Sequence, residues 1–363
     1  MSDAHVDVLI AGGGTGGHVF PALALGTELV SRGLGIAYVG SPYGLESRLV
    51  PAAGQVLHLI PGRQMRGGGV RGAAVGALAL SRGLASAVGV LRRLRPRLVV
   101  GVGGYASVAG VVAARLSRVP VVLLEQNAIP GAANRALGRF AHRICVGFAE
   151  AAMYFPAGRA VYTGNPVRPA VLAAPPRVHR HGVGLLVFGG SQGAHHLNEA
   201  TVAALELLAI VPGALRITHQ TGEADRVPVA DAYRRLGLDA RVEAFVEDMG
   251  SAYAAADLVI ARAGAMSCAE ITAVGMPAVL VPYPFAADDH QRRNGEILAA
   301  AGAAHLILDR DLEGPRLAKL LRPLLDDPAT RGEMAARSRA FGRPRAAAHV
   351  ASVCAEVLER RST

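Results

Sequence analysis

Residues 6–18 read Val6-Asp7-Val8-Leu9-Ile10-Ala11-Gly12-Gly13-Gly14-Thr15-Gly16-Gly17-His18, and Pro21-Ala22-Leu23-Ala24-Leu25 follows. An apolar run that breaks into glycines and resumes with helix-forming residues is a strand, a tight turn and a helix. Five glycines within the six residues 12–17 let the backbone take positive φ and come close to a ligand or a neighbouring strand. The N–H groups that open the next helix favour an anion. Such a turn suits a phosphate, or a polar group held near one.

Gly12, Gly14 and Gly17 also satisfy G-x-G-x-x-G, the dinucleotide signature. That signature expects an acid at the tip of the second strand to hold a ribose. Here the second strand, residues 35–39, runs into Gly40-Ser41-Pro42, and the nearest acid, Glu46, lies beyond it. A dinucleotide oxidoreductase therefore loses its main support.

Working outward, short runs rich in Val, Ile and Leu recur at residues 36–39, 56–60, 98–101, 119–124, 143–146 and 160–162, with helical stretches between them. Continuous apolar runs of this length are expected of parallel strands buried on both faces. Loops at their carboxyl ends carry Arg63-Gln64-Met65-Arg66-Gly67-Gly68-Gly69, Gly103-Gly104-Tyr105-Ala106-Ser107 and Glu125-Gln126-Asn127-Ala128-Ile129-Pro130-Gly131. In doubly wound α/β sheets that edge is where ligands sit.

Gly164-Asn165-Pro166-Val167-Arg168-Pro169 and Ala173-Ala174-Pro175-Pro176 then interrupt the pattern and read as a linker. Beyond it the opening unit repeats: residues 184–188 form a strand, Gly189-Gly190-Ser191-Gln192-Gly193-Ala194 a glycine turn, and a helix begins near Leu197. Further strands are expected at 216–219, 241–244, 258–261, 278–281 and 304–307. The reading is α/β, with two Rossmann-like doubly wound parallel-sheet domains facing across a cleft. The domains are residues 1–167 and 168–342, and residues 343–363 form a C-terminal helix packing back on the first domain.

Composition narrows the class. The 363 residues are 51% hydrophobic but only 4% aromatic with no Trp, so the cores are built from Ala, Val and Leu. The net charge of +10 comes almost wholly from Arg, Lys319 being the one lysine, and favours an anionic partner. Aromatic residues do not interleave with basic ones as in an RNA-binding sheet, which argues against nucleic acid. Cys145, Cys268 and Cys354 are far apart and odd in number, so neither a disulfide framework nor zinc spacing follows. The chain enters a strand within six residues, without a signal-peptide pattern, and residues 72–91, the longest apolar candidate, contain Arg82. A soluble protein or one attached to a membrane surface is expected.

Residues 70–94 read as a helix with Arg71, Arg82 and Arg93 on one side and Leu80, Leu84, Val88 and Leu91 on another, followed by Arg92-Arg93-Leu94-Arg95-Pro96-Arg97. A basic amphipathic helix can lie on an anionic bilayer. It can equally be a surface helix whose apolar side joins the core.

The richest stretch in the second half is Arg262-Ala263-Gly264-Ala265-Met266-Ser267-Cys268-Ala269-Glu270-Ile271. Gly264 and Ala265 leave room at a helix start where N–H groups can hold a diphosphate. A carboxylate such as Glu270 suits a vicinal diol. Downstream, Gln291 and Asn294 stand one helical turn apart, with amides that both donate and accept to sugar hydroxyls. Asp288-Asp289 beside His290 has no second ligand cluster at a helpful spacing, so no metal and no cofactor is expected.

Taken in order, Gly13-Gly14-Thr15-Gly16-Gly17-His18, Gly103-Gly104-Tyr105, Glu125-Gln126-Asn127, Gly164-Asn165-Pro166-Val167-Arg168, Gly189-Gly190-Ser191-Gln192-Gly193-Ala194, His219-Gln220-Thr221-Gly222, Phe245-Val246-Glu247-Asp248-Met249 and the run through Glu270 to Gln291 and Asn294 closely resemble the MurG family. The likeness covers nearly the whole chain. It implies the GT-B architecture and an inverting hexosyltransferase of peptidoglycan synthesis, hence of cell-wall biogenesis, cell shape and division. GlcNAc would move from UDP-GlcNAc to the 4-hydroxyl of MurNAc in lipid I, giving lipid II and UDP. The partners implied are that donor and acceptor, the anionic inner-membrane surface and proteins of cell-wall synthesis. The place implied is peripheral, on the cytoplasmic face of the cell membrane.

Carried over by motif, Ser191 and Arg168 resemble diphosphate or nucleotide contacts, Val246 a backbone contact to uracil and Glu270 the ribose clamp. Asn127, Gln291, Asn294 and the stretch Ala265, Met266, Ser267, Cys268 and Ala269 resemble contacts to the sugar or donor, and Thr15, Gly16 and Gly17 approach the donor from the first domain. The reaction needs a base for the acceptor hydroxyl. An imidazole titrates near neutrality, and His18 sits at the turn; Glu125 is the alternative. Two departures stand out: residues 70–97 lack the aromatics often found in the family's membrane patch, and the acids before Met249 are Glu247-Asp248. A related transferase moving another sugar to a lipid, such as a galactosyl-diacylglycerol synthase, is the nearest rival.

Overall fold

The computed structural model describes residues 6–61, 69–173, 181–190 and 193–360. Most of the basic loop at 63–69, the Pro175-Pro176 part of the linker, and Ser191 with Gln192 lie outside the described residues. The chain divides into two compact units, Met1–Pro166 with Arg345–Thr363, and Val167–Pro344.

The first unit holds seven strands: β1 (Val8–Ala11), β2 (Ile36–Gly40), β3 (Leu57–Leu59), β4 (Leu98–Gly101), β5 (Val121–Glu125), β6 (Arg143–Val146) and β7 (Ala160–Tyr162). They form one parallel sheet in the order β3-β2-β1-β4-β5-β6-β7, with Val8 in register with Ile36 on one side and Leu98 on the other. The order reverses at β1, so the glycine turn that follows it opens at the switch point, where α/β sheets leave a crevice. β1, β4 and β5 are buried along their whole length, which is why they carry almost no polar residue.

One face of this sheet packs Leu9, Val99, Leu123 and Ile144 against the helices Gly69–Leu94 and Tyr105–Leu116. In the first of these, Ala87, Val90 and Leu91 are buried, Leu84 and Val88 pack beside them, and Arg82, Arg92 and Arg93 are exposed. From residue 84 onward, its apolar stripe is therefore spent on the core rather than left for a bilayer.

The other face packs Val8, Ile10, Leu98, Val100 and Val122 against Leu25 and Leu29 of the helix Gly16–Ser31. It also meets Val350, Ala351, Cys354 and Val357 of the last helix, Ala346–Glu359. Arg32 pins that helix by donating to the Ala348 carbonyl (2.9 Å) and to Ser352 Oγ (3.2 Å).

The second unit repeats the plan with β8 (Val183–Phe188), β9 (Leu215–Gln220), β10 (Asp239–Glu243), β11 (Leu258–Arg262), β12 (Ala278–Val281) and β13 (His305–Leu306). Their order is β10-β9-β8-β11-β12-β13, all parallel. Again the order reverses at the strand that precedes a glycine turn, here β8. Leu185, Val187, Ile260 and Val279 meet Leu197, Leu205, Leu317, Leu321 and Leu324 from the flanking helices. The edge strand β10 is only partly buried, with Asp239, Arg241 and Glu243 on it, and polar edges of this kind discourage pairing with another sheet.

Each fully buried Leu or Val contributes roughly 1.5–3 kcal/mol. A carboxylate at Val350, which has no exposed surface, would instead be desolvated against Val8 and Ile10 at a cost of several kcal/mol. Val350→Asp is expected to lower the thermal midpoint by about 10 °C or more, with the exposed control Glu359→Gln unchanged. Equal midpoints would contradict the packing described.

Candidate active site

Three loops converge at the carboxyl edge of the first sheet. Gly12, Gly13 and Gly14 have φ of 152°, 152° and 95°, and the Gly13 N–H donates to the Gly103 carbonyl at 3.2 Å, joining the first glycine turn to the one after β4. Behind the turn sits Glu46, only 2% exposed. Its carboxylate accepts the N–H of Gly14 at 2.6 Å and of Ser41 at 2.8 Å. A Cβ on Gly13 would fall 2.1 Å from the Glu46 carboxyl carbon, so glycine is required there to admit that side chain. The acid beyond the second strand is thus turned inward to brace the loop, and the role of Glu46 was missed by the sequence reading.

His18 lies half-buried in the first turn of the helix Gly16–Ser31. Its Nδ1 is 3.1 Å from the Gly13 carbonyl. A carbonyl only accepts, so Nδ1 carries the proton and the neutral ring has its lone pair on Nε2. A Cβ on Gly103 would come within 2.6 Å of that Nε2. Thr15 and Gly17 are exposed beside it.

Glu125 ends β5 and is 2% exposed. It accepts from the Asn127 N–H (2.9 Å), the Gly131 N–H (3.3 Å) and the Asn134 amide (2.9 Å), with the Asn127 amide at 3.4 Å. Burial pushes its pKa up and these donors pull it back. The carboxylate is thereby taken up in shaping its own loop. Buried Gln126 donates to the Val102 carbonyl at 3.1 Å, and buried Asn165 to the Gln126 carbonyl at 2.9 Å. The side chain of Asn127 remains half-buried at the rim.

In the second unit Glu270, 3% exposed, meets Arg168 in a two-pronged ion pair: Nε to Oε1 at 2.6 Å and Nη2 to Oε2 at 2.7 Å. The Tyr253 hydroxyl is 3.5 Å from Oε2. The expected diphosphate contact and the expected ribose clamp therefore bind each other. Among the described residues Oε1 accepts only from Arg168 Nε and keeps a second lone pair, so Glu270 can still accept from a hydroxyl and is already oriented.

Asn294 departs from expectation. It has no exposed surface and donates to the Ala263 carbonyl at 3.2 Å, so it supports the Arg262–Gly264 loop from behind rather than reaching a sugar. Gln291 accepts the Tyr283 N–H at 3.0 Å, and its amide nitrogen is 3.9 Å from where a Cβ would stand on Gly264, at the start of the helix Ala265–Ala273.

Ser267 and Ala269 are half-buried, whereas Ala265 and Met266 are buried. Burial of Cys268 pushes its thiol up to about 12, leaving it unreactive. The Val246 N–H donates to Gln220 Oε1 at 3.1 Å, so a base would be read by its carbonyl. The same Gln220 donates to the Gly190 carbonyl at 2.6 Å, which ties down Gly190. Among the described residues, no three His, Cys, Asp or Glu side chains group as metal ligands do.

His219, from the His219-Gln220-Thr221-Gly222 stretch, is fully buried. Tyr233 Oη is 2.8 Å from its Nδ1, and its Nε2 is 3.0 Å from Asn198 Oδ1. Asn198 in turn donates to the Thr221 carbonyl at 3.0 Å and to Asp225 at 2.8 Å. Burial drives the His219 pKa from 6.5 down to about 3, so the unfolded chain binds the extra proton between those values. Stability contributed by His219 is thus full above pH 6.5 and lost as pH falls towards 3, with a limiting slope of about 1.4 kcal/mol per pH unit. In urea unfolding between pH 7 and pH 5, His219→Gln is expected to flatten the acid loss seen in the parent chain. A parallel loss in both would remove His219 as its source.

Comparison with known proteins follows the same two-part division. Residues 8–146 match the glycosyltransferase family 28 N-terminal domain and residues 184–350 the glycosyltransferase family 28 C-terminal domain. A protein of Anaeromyxobacter sp. (strain Fw109-5), named UDP-N-acetylglucosamine–N-acetylmuramyl-(pentapeptide) pyrophosphoryl-undecaprenol N-acetylglucosamine transferase, is 47% identical over 98% of this chain and 94% of its own length. A protein of the same name from Syntrophus aciditrophicus (strain SB) is 42% identical over 97% and 99%. The crystal structure of Acinetobacter baumannii MurG superposes with a TM-score of 0.78 at 34% identity, over 96% of this chain and 98% of that one. The chain belongs to glycosyltransferase family 28 and, within it, to the MurG family.

Proposed function

We propose that this chain moves N-acetylglucosamine from UDP-N-acetylglucosamine to the 4-hydroxyl of the N-acetylmuramoyl sugar of lipid I, releasing UDP and forming lipid II for peptidoglycan. The observation that carries this reading is the likeness, over nearly the whole chain, to relatives named for that transfer. The donor is α-linked and the product β-1,4-linked, so one in-line displacement with inversion suffices. The acceptor oxygen forms the new bond to the anomeric carbon as the bond to the diphosphate breaks, and the hydroxyl proton passes to a base.

His18 fits the base. Its Nδ1 proton is committed to the Gly13 carbonyl, which places the lone pair on Nε2. Glu125 fits less well, since its oxygens already accept hydrogen bonds from its own loop. On the donor side Glu270 takes the ribose hydroxyls, steadied by Arg168, and the Val246 carbonyl reads the base. Gln291 and the backbone at Ala265–Met266 take the sugar and its phosphates, and Ser191 is assigned to the phosphates by its motif. Asn127, Thr15, Gly16 and Gly17 complete the contacts. The helix N-termini balance the diphosphate without a metal.

No helix among the described residues is long and apolar enough to cross a membrane. A lipid-borne acceptor then calls for peripheral attachment to the anionic cytoplasmic face of the membrane, with cell-wall synthesis proteins as neighbours. The excess of arginine supports such attachment.

The test is UDP release from UDP-GlcNAc with a short-chain lipid I analogue, in EDTA, with UDP-GalNAc as control. Release that needs the lipid, resists EDTA and prefers GlcNAc is expected. His18→Ala is expected to lower kcat by about 10²–10⁴ while the KM for donor stays within a few-fold. Unchanged kcat with a raised donor KM would reassign His18 to binding, and absence of release from folded protein would send the search to other acceptors.

A further inference from the structure

At the amino ends of β5, β6 and β7, opposite to the loops just described, the first unit carries a groove of about 700 Å³. Its walls hold Arg115, Arg118, Arg139, Arg143, Arg159 and Arg360, with His142 the one other ionisable residue, and no Asp or Glu lines it. The rest of its lining is apolar: Val119, Pro120, Val121, Phe140, Ala141 and Val357, with Phe140 the most exposed of them. None of the six arginines pairs with a carboxylate among the described residues.

Backbone carbonyls hold several of them instead. Arg159 donates to the carbonyls of Arg139 (2.7 Å) and Ala141 (3.0 Å), Arg139 to that of Ala136 (2.9 Å) and Arg143 to that of His142 (3.2 Å). Carbonyls fix a guanidinium in place without cancelling its charge, so the groove concentrates positive potential. Burial lowers the basicity of His142, and the neighbouring Arg159, Arg115 and Arg143 lower it further. Arg118 ends the helix Tyr105–Leu116 with φ of 56°, in the left-handed position where glycine is the favoured residue.

We infer that this groove is a docking surface for an acidic, partly apolar segment of a partner protein, whose carboxylates would meet the arginines and whose apolar side chains would meet the apolar lining around Phe140 and Val119. A bilayer needs a protruding apolar and cationic face, and this surface is concave. A single nucleic-acid strand needs a series of stacking platforms, whereas the lining offers only Phe140, over which Arg139 already lies at 5.6 Å.

The probe is a fluorescein-labelled peptide of about ten residues alternating Glu with Leu, followed by anisotropy. It is compared with a single-stranded oligonucleotide of equal charge and with vesicles containing phosphatidylglycerol. Arg115→Gln, Arg118→Gly and Arg143→Gln combined are expected to weaken peptide binding about tenfold or more, and salt to weaken the parent's binding. The glycine at 118 suits its left-handed backbone, so an unchanged thermal midpoint is expected and shows that the loss is not unfolding. Arg118→Gly alone, expected to weaken binding by a smaller factor, serves the same purpose should the triple variant fold poorly. Absence of peptide binding, or binding that the substitutions leave intact, would overturn the inference. So would tighter, arginine-dependent binding of the oligonucleotide or the vesicles.

Discussion

Every loop that ends a strand in this molecule leaves backbone N–H and C=O groups without a sheet partner, and buried polar groups left unbonded are costly. The fold meets that demand with its own buried side chains. Glu46 closes Gly14 and Ser41, Glu125 closes Asn127 and Gly131, and Gln126 and Asn165 link the loops after β4, β5 and β7. Gln220 holds Gly190 and Val246, and Asn294 holds Ala263. The candidate site is thus shaped before any substrate arrives, which lowers the ordering cost of binding.

The two glycine turns differ electrically. In the first unit a buried carboxylate stands behind the turn and takes the Gly14 N–H. Part of the turn's capacity for an anion is therefore already filled, and His18 follows it in the first turn of the helix Gly16–Ser31. In the second unit the side chain behind the turn is the uncharged amide of Gln220, and the nearby carboxylate of Glu270 is neutralised by Arg168.

Much of the fold could be read from the chain because buried parallel strands must be continuous apolar runs. β4, β6, β7 and β12 fall where the runs predict, and β1, β5 and β9 shift by only a residue or two at their ends. The edge strand β10 starts two residues before its expected position because polar, exposed Asp239 gives no apolar signal. The chemistry-bearing loops were also legible, since glycines and polar residues directly after apolar runs mark the active edge of the sheet.

What could not be read was which polar residue faces a substrate and which faces the protein. Glu46 looked unattached because its partner Gly14 lies 32 positions away. Asn294 looked like a sugar ligand because helical spacing pairs it with Gln291, yet it bonds to Ala263, 31 positions back, and has no exposed surface. The mutual pairing of Arg168 and Glu270 spans 102 positions. These distinctions depend on tertiary burial, which local pattern does not encode.

If buried acceptors hold the site loops before substrate binds, the amides of Gly14 and Ser41 exchange slowly with solvent in the ligand-free protein, as amide hydrogen exchange would read. Glu46→Gln is then expected to speed both while the amides of β1 stay protected. Rapid exchange at Gly14 and Ser41 in the parent protein would show that Glu46 does not hold the loops.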